Sequence, residues 1–274
     1  MSTSSAKGFG LNISRTYRSH NTRQLEFGYG WSLGYNQRLE LIPGEGERQI
    51  AFHDGTGKFH IFTETDDKWT SPPGLYLRLL AEDDNTFKLI DGGGTEYRFT
   101  PVPDRRYLLT NICDRYGNML TIKYKKKGAD FIVSEVTDTF GRKLTFEGSP
   151  VITRITGPTG RYLEYDYFEI DDDRLLKKVT LFSASEEQLS TISYYYNNSE
   201  TAPPDELTAL KMIKSPDNIY WIYTYADGKV EDIKVSDTPD GSGTVYKANT
   251  FDYSGPVSYT DARNNVWQYT INGN

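Results

Sequence analysis

Several sets of residues in this chain have the types that do chemistry. The histidines are His20, His53 and His60, and the last two stand on either side of Asp54-Gly55, so they could approach across a hairpin. Two imidazoles without a third ligand make a poor zinc site. The one cysteine, Cys113, excludes an intramolecular disulfide framework and, between Ile112 and Asp114, reads as a strand side chain and not a nucleophile. No Gly-x-Ser-x-Gly elbow occurs. Among the 38 acids, Asp83-Asp84, Asp91 with Glu96, and Asp171 to Asp173 are the pairs a glycosidase would need. Asp237-x-x-Asp240-Gly241, or the Asp171 run, could open a calcium loop, although neither spacing matches the known one. The rings of Trp31, Trp69, Trp221, Tyr223, Trp267 and Tyr194 to Tyr196 could stack on sugars. The competing use of such rings is packing against cross-strand neighbours.

The acids all fall where turns are expected. Leu109-x-x-Ile112-x-Asp114 leads into Gly117-Asn-Met-Leu-Thr-Ile-Lys-Tyr124: two runs of alternating apolar residues around an Asp and a Gly three apart. That is strand, turn, strand, with Asp capping its own turn and Gly taking positive φ. The unit recurs around Asp138 and Gly141 (Val133 to Phe146) and around Gly157 and Gly160 (Ile152 to Tyr167). Looser copies follow: Leu176 to Tyr196 with an enlarged turn around Ser183 to Gln188, Leu210 to Tyr225 around Pro216-Asp217-Asn218, and Val257 to Ile271 around Asp261 to Asn264. Irregular spacing of this kind marks a diverged array. Asp114, Gly117, Asp138, Gly141 and Gly160 are therefore read as structural turn residues.

Upstream, Phe9 to Arg18 reads as a strand, and Phe27-Gly28-Tyr29-Gly30-Trp31-Ser32-Leu33-Gly34-Tyr35 as a corner where rings pack on bare backbone. A strand follows at Gln37 to Ile42, then Asp-Gly hairpins at Gln49 to Phe62 and Phe87 to Phe99. Pro72-Pro73-Gly74 interrupts them, and Pro101 and Pro103 precede a soft boundary near Asp104. The expected division is a disordered start at 1–8, a hairpin opening segment at 9–103, and repeat hairpins at 104–274 continuing the same sheet. No stretch has a convincing helical period; Ala202 to Met212 comes nearest, with one short turn at most.

Aromatics make up 14% of the 274 residues, 21 of them tyrosine, against 36% apolar residues overall. Tyrosine suits a sheet with one face only partly covered. The formal charge of -7 argues against a nucleic-acid partner, because a phosphate-binding surface needs a basic face. No apolar run is long enough for membrane insertion as a helix, and Met1 to Lys7 lacks the composition of a signal peptide. The last residues, Asn272-Gly273-Asn274, read as the next turn, so the chain is expected to be a portion of a longer repetitive protein.

Phe27-Gly28-Tyr29-Gly30-Trp31-Ser32, preceded by Ser14-Arg15-Thr16-Tyr17-x-Ser19, resembles the opening sequence of the Rhs and YD-repeat family. Gly160-Arg161-Tyr162-x-x-Tyr165-Asp166 with Arg174-Leu175-Leu176 resembles the YD repeat itself, and the copies at Asp114 and Asp138 are similar to it. The resemblance runs from about residue 9 onward. It implies a secreted or surface-exposed bacterial protein whose repeats form a β-strip wound as a shell around a toxic C-terminal effector. The family's self-cleavage sequence uses Asp-Pro, and none of the 12 prolines here follows an Asp, so its catalytic residues have no positions in this chain.

The expectation is an all-β array of antiparallel hairpins forming a curved, extended or spiral sheet. Its expected role is structural and non-enzymatic: a wall segment whose partners are other repeats of the same polypeptide and an enclosed effector, with no cofactor and no metal. The alternative is a cell-surface adhesion module that binds carbohydrate through Trp221, Tyr223 and Trp267. A carbohydrate-active enzyme comes third.

Overall fold

The computed structural model describes residues 10–128, 130–197, 199–201, 204, 206–254 and 257–269. They form an all-β structure of antiparallel hairpins, with no helix among the described residues. Contacts divide the chain into two compact units, Met1–Arg18 with Leu25–Tyr162, and Ser19–Gln24 with Leu163–Asn274.

The chain begins with β1 (Arg15–Tyr17), β2 (Gln24–Leu25), β3 (Gly28–Tyr29) and β4 (Trp31–Leu33). β1 pairs with β4, setting Tyr17 opposite Trp31 with ring centroids 5.1 Å apart. The strand expected over Phe9 to Arg18 is thus only three residues long, and Phe9 lies outside the described residues. A meander follows: β5 (Gln37–Ile42), β6 (Gln49–Asp54), β7 (Phe59–Thr65) and β8 (Lys68–Thr70). A second comprises β9 (Arg78–Ala81), β10 (Phe87–Ile90), β11 (Glu96–Val102) and β12 (Arg106–Cys113). β12 also pairs with β5, placing Tyr107 opposite Leu39, so both meanders share one ladder. Asp104 lies in the tight turn between β11 and β12.

Alternation explains the core. In Phe52, Phe62, Leu89 and Phe99 every second residue of a strand turns inward and is buried, and burial of each such side chain contributes about 1.5–3 kcal/mol. The rings meet edge to face: Phe52 on Phe99 at 6.0 Å, Trp69 on Phe87 at 5.8 Å, and Phe87 on Tyr107 at 4.8 Å. Beyond β12 the hairpins continue through β13 (Met119–Lys127), β14 (Asp130–Thr137), β15 (Lys143–Glu147) and β16 (Arg154–Thr156), each paired with its predecessor. Leu120 and Ile122, and Leu144 and Phe146, are buried alternates, while Val133 and Val136 are buried three apart, across the extra residue Ser134.

Most of β17 (Tyr162–Ile170) lies in the second unit and is separated from β18 (Asp173–Phe182) by Asp171-Asp172. Then come β19 (Gln188–Tyr195), β20 (Met212–Lys214), β21 (Tyr220–Ala226), β22 (Lys229–Ser236), β23 (Val245–Asp252), β24 (Val257–Thr260) and β25 (Val266–Tyr269). From β18 onward each pairs antiparallel with the next. The helical turn considered over Ala202 to Met212 is not found: Met212 begins β20, residues 206–211 are irregular, and 202, 203 and 205 lie outside the described residues.

Several hairpins carry a β-bulge, and an aromatic residue stands on the strand opposite most of them. The register shifts between Arg98 and Phe99, Lys123 and Tyr124, Leu181 and Phe182, and Thr224 and Tyr225. A bulge bends the strand and re-aims the next side chain. It also leaves one partner-strand residue unpaired, which explains two large exposed apolar groups: Leu189 opposite the Leu181/Phe182 shift, and Tyr246 opposite the Val235/Ser236 shift.

Candidate functional site: turn caps and tyrosine ties in each hairpin

All the repeat turns but that at Gly157 are built on one residue that spends its side chain on its own loop. Asp114 Oδ1 accepts the backbone N–H of Tyr116 at 2.8 Å and of Asn118 at 2.9 Å, while Oδ2 accepts from the Asn118 amide at 2.7 Å. These bonds, the Asn118 amide first, hold the Asp114 carboxyl below its usual range. Asp138 repeats the arrangement with Phe140 and Arg142, both at 2.9 Å, and its Oδ2 takes the Arg142 Nε–H at 2.6 Å. Asp91 and Asp261 do the same. In each turn the backbone closes with one bond from the capping residue to the fourth residue on, and one from the third residue back. Gly117 and Gly141 occupy the left-handed position at φ of 83° and 77°. A Cβ there would meet no atom within 4 Å, so the demand for glycine is one of backbone conformation alone.

The later copies keep this turn although their residues differ. Ser183 replaces the aspartate, its Oγ accepting from the N–H of Ser185 and Glu187, and Glu186 takes the left-handed position at φ of 64°. The expected enlargement around Ser183 to Gln188 is therefore absent; a hydroxyl supplies the acceptor and a non-glycine residue bears the strain. Ser215 with Asn218 is a second such case, and Asp261 with Asn264 keeps the aspartate but not the glycine. The Gly157 turn has no side-chain cap and closes with backbone bonds alone, with Gly160 at φ of 77°.

The far end of the repeat carries a second device. Tyr124 Oη donates to the carbonyl of Leu109 at 2.9 Å, Tyr225 to Leu210 at 2.8 Å, and Tyr196 to Leu176 at 2.9 Å. In each pair the acceptor is the apolar residue that opens the repeat and the donor is the aromatic that closes it. Tyr253 makes the same kind of bond to Val230 at 3.0 Å. Tyr124 and Tyr225 each stand where the register shifts, opposite a strand that carries one extra residue, Ser134 and Glu231 respectively.

The other chemical candidates separate. The register sets Phe52 opposite His60 and His53 opposite Phe59, so the two imidazoles point to opposite faces; His60 pairs with Asp54 at 3.2 Å and His53 with Glu40 at 3.5 Å. No group of three or more His, Cys, Asp or Glu able to hold a metal exists among the described residues. Asp84 caps the β9–β10 turn through the Thr86 N–H, Asp237 accepts from Thr244, and Asp240 accepts from Ser242. Glu96 lies in β11 beside Lys88.

Of the proposed sugar-stacking rings, Trp31 and Trp69 are buried. Trp221, Tyr223 and Trp267 fall on one face by register, through Tyr223 opposite Ile233, Ile233 opposite Asn249, Phe251 opposite Tyr259 and Tyr259 opposite Trp267. Four strand spacings, roughly 19 Å, separate the β21 rings from Trp267. Trp221 is 37% and Trp267 56% exposed, and Tyr223 is half-buried. The structure groups Trp267 instead with Tyr259, Phe251 and Tyr253, the last two stacked at 6.5 Å.

A half-buried polar cluster escaped the sequence reading. Glu26 accepts the Leu33 N–H at 2.9 Å and the Asn36 side-chain amide, within the electrostatic reach of Arg38 and Tyr124. Burial pushes its carboxyl above the ordinary range, against the lowering effect of those donors. Its backbone carbonyl accepts from Ile152 at 2.8 Å. The only sequence signal was a lone acid directly before the glycine–aromatic corner.

A protein-family model described as "Domain of unknown function (DUF6531)" matches residues 3–62, the segment that contains this corner. No curated protein matches the sequence. The solved structures similar to this chain include a crystal structure of TcdB2-TccC3-Cdc42, at 12% identity and a TM-score of 0.34 over 86% of this chain. Another is a crystal structure of TcdB2-TccC3-TEV, at 13% and 0.34 over 83%. This chain spans 16% and 15% of those two chains. A porin-like protein from Bacteroides uniformis is similar at 12% identity and 0.31, covering 83% of this chain and 96% of that one.

Proposed function

We propose that this chain is a non-catalytic wall segment of an Rhs/YD-repeat protein, a secreted or surface-exposed polypeptide whose repeats enclose or present a C-terminal effector. One observation carries the reading: within the repeats, the groups that could do chemistry are consumed by the repeat itself. The capping Asp or Ser oxygens of the turns accept the amides of their own loops, and the closing tyrosines donate to the residues that open their own hairpins. The resemblance of Phe27 to Ser32 and of the Asp114, Asp138 and Gly160 turns to that family supports the same reading. The test is a set of single substitutions, Asp114→Asn, Asp138→Asn, Asp91→Asn and Asp240→Asn, in the parent polypeptide. Each is expected to change biological activity only as far as it lowers melting temperature; loss of activity at an unchanged melting temperature would overturn the reading.

A second reading, carbohydrate binding, is favoured by the exposed Trp267 beside Tyr259 and the stacked Phe251 and Tyr253. It expects Trp267 fluorescence to shift with a neutral oligosaccharide, and Trp267→Ala to abolish that shift; no shift across an oligosaccharide panel would end it.

A further inference from the structure

We propose that the tips of three neighbouring hairpins in the first unit, carrying Arg115, Tyr116, Phe140 and Arg161, form a docking surface for an extended acidic peptide with apolar side chains between its carboxylates. This goes beyond the wall reading and stands independently of it.

The three turns lie at one end of one run of strands. β12 to β16 pair in sequence order, each antiparallel to the next, so the turns at Asp114 to Gly117, Asp138 to Gly141 and Gly157 to Gly160 fall at the same end. The first two hairpins are in contact: Thr139 Oγ1 donates to the Met119 carbonyl at 3.1 Å and accepts the Met119 N–H at 2.6 Å.

The turn itself does not ask for rings here. Tyr116 and Phe140 hold the third position of their turns, where the same turn elsewhere carries Gly93, Thr159, Ser185, Asp217 or Arg263. Both rings stand out of the fold, Tyr116 74% and Phe140 59% exposed, and Met119, tied to Thr139, is exposed as well. Neighbouring apolar groups left in water and rimmed by charge mark an interaction surface.

Charge selects the partner. Arg115 lies over the Tyr116 ring at 4.9 Å and Arg142 over Phe140 at 5.6 Å, so a face of each ring is already covered by a guanidinium and closed to a neutral sugar. A stacked guanidinium keeps its N–H edge for a carboxylate. The acids of these tips are turned inward: Asp91 and Asp114 each accept two amides of their own loops, and Asp138, with a side chain 1% exposed, is paired with Arg142. Arg115 and Arg161 are exposed and form no ion pair among the described residues. The row therefore reads cation, ring, ring, cation. Its outer turns are four strand spacings apart, roughly 19 Å, which an extended chain covers in about six residues. A peptide with a carboxylate at each end of that span and apolar side chains between complements the row in charge and in length.

The experiment is a titration of the full chain into the fluorescently labelled peptide acetyl-Glu-Ser-Phe-Ser-Phe-Ser-Glu-amide, followed by anisotropy at low and at physiological salt. Binding is expected, weakening as salt rises, and absent from the peptide with lysine in place of glutamate. Arg115→Ser and Arg161→Ser are each expected to weaken it about threefold, the contribution of an exposed ion pair. Tyr116→Ser combined with Phe140→Thr should weaken it about tenfold or more. Melting temperature should hold in the ring variant, because other turns of this chain carry Ser185 and Thr159 at that position. Unchanged anisotropy up to about 1 mM protein, equal binding of the two peptides, or undiminished binding by the ring variant would overturn the proposal. Tighter binding of polygalacturonate than of the peptide would overturn it in favour of an acidic glycan. Dimerisation that the ring variant abolishes, without peptide binding, would overturn it in favour of a second copy of the chain. If the ring variant does not fold, the arginine variants decide: undiminished binding in both would overturn the proposal.

Discussion

The tyrosine hydroxyls at Tyr124 and Tyr225 are the residues on which the repeat closes. Each is one oxygen bonded to one backbone carbonyl, at 2.9 and 2.8 Å, so removing it isolates a single interaction. Tyr124→Phe and Tyr225→Phe should each cost about 1 kcal/mol, read as a lower denaturant midpoint with unchanged slope. An unchanged midpoint would make the phenols mere ring packing. A second residue-scale effect belongs to Glu135, held between Lys123 at 2.9 Å and Lys143 at 3.1 Å, which pull its carboxyl down to about 2. The folded value lies below the ordinary 4.5, so this contribution is present above 4.5 and is lost as pH falls toward 2. Water reaches the pair, so the effect is small. Thermal scans between pH 5 and 2 should show a shallower loss for Glu135→Gln than for the wild type; parallel curves would remove Glu135 from the acid response.

At the scale of the hairpin, one turn geometry is met by different residues, and this separates conformational demand from sequence. Glu186 sits at φ of 64°, where a side chain costs about 1 kcal/mol relative to glycine. Glu186→Gly should raise stability by about that amount in a denaturant titration of the second unit, and a loss would mean that the glutamate is held there by contacts outside the turn. Conversely, Asp138→Ala should destabilise by about 2 kcal/mol or more, because it strips acceptors from two amides and leaves the Arg142 guanidinium beside a buried, vacated site. The more exposed Asp114→Ala should cost less, and equal losses at the two sites would show that burial does not govern the cap. The hairpins around Asp91, Asp114, Asp138 and Gly157 were legible because an Asp-Gly or Gly-Gly pair between alternating apolar residues has few other uses. The turn at Ser183 was misjudged because a hydroxyl can replace a carboxylate as acceptor, which no spacing reveals. The bulges were missed although they leave a trace: the extra residues Thr110 and Ser134 fall inside Leu109-x-x-Ile112 and Val133-x-x-Val136, an apolar spacing of three where a regular strand has two. Glu26 could not be recognised since nothing in the local pattern marks the Leu33 N–H and the Asn36 amide as its donors, and Tyr124 comes from a strand far along the chain.

Across the molecule, two compact units repeat one hairpin logic, and the capping Asp114, the closing Tyr124 and Glu135 show side chains absorbed into turns, ties and ion pairs. The sequence pattern was enough for the all-β class, because period-two alternation and turn residues act locally. It was not enough for the grouping of Trp267 with Tyr259, Phe251 and Tyr253, which depends on register accumulated over several strands. A wall built of such strands is expected to be a barrier before it is anything else. The most direct measurement of that claim is limited proteolysis of the full-length polypeptide that carries this chain, following the effector segment against the same segment made alone. The account predicts that the enclosed segment resists digestion until the repeats unfold, and that Tyr124→Phe combined with Asp138→Ala brings its cleavage to a lower denaturant concentration. Digestion of the segment in the intact protein as fast as in isolation would contradict it.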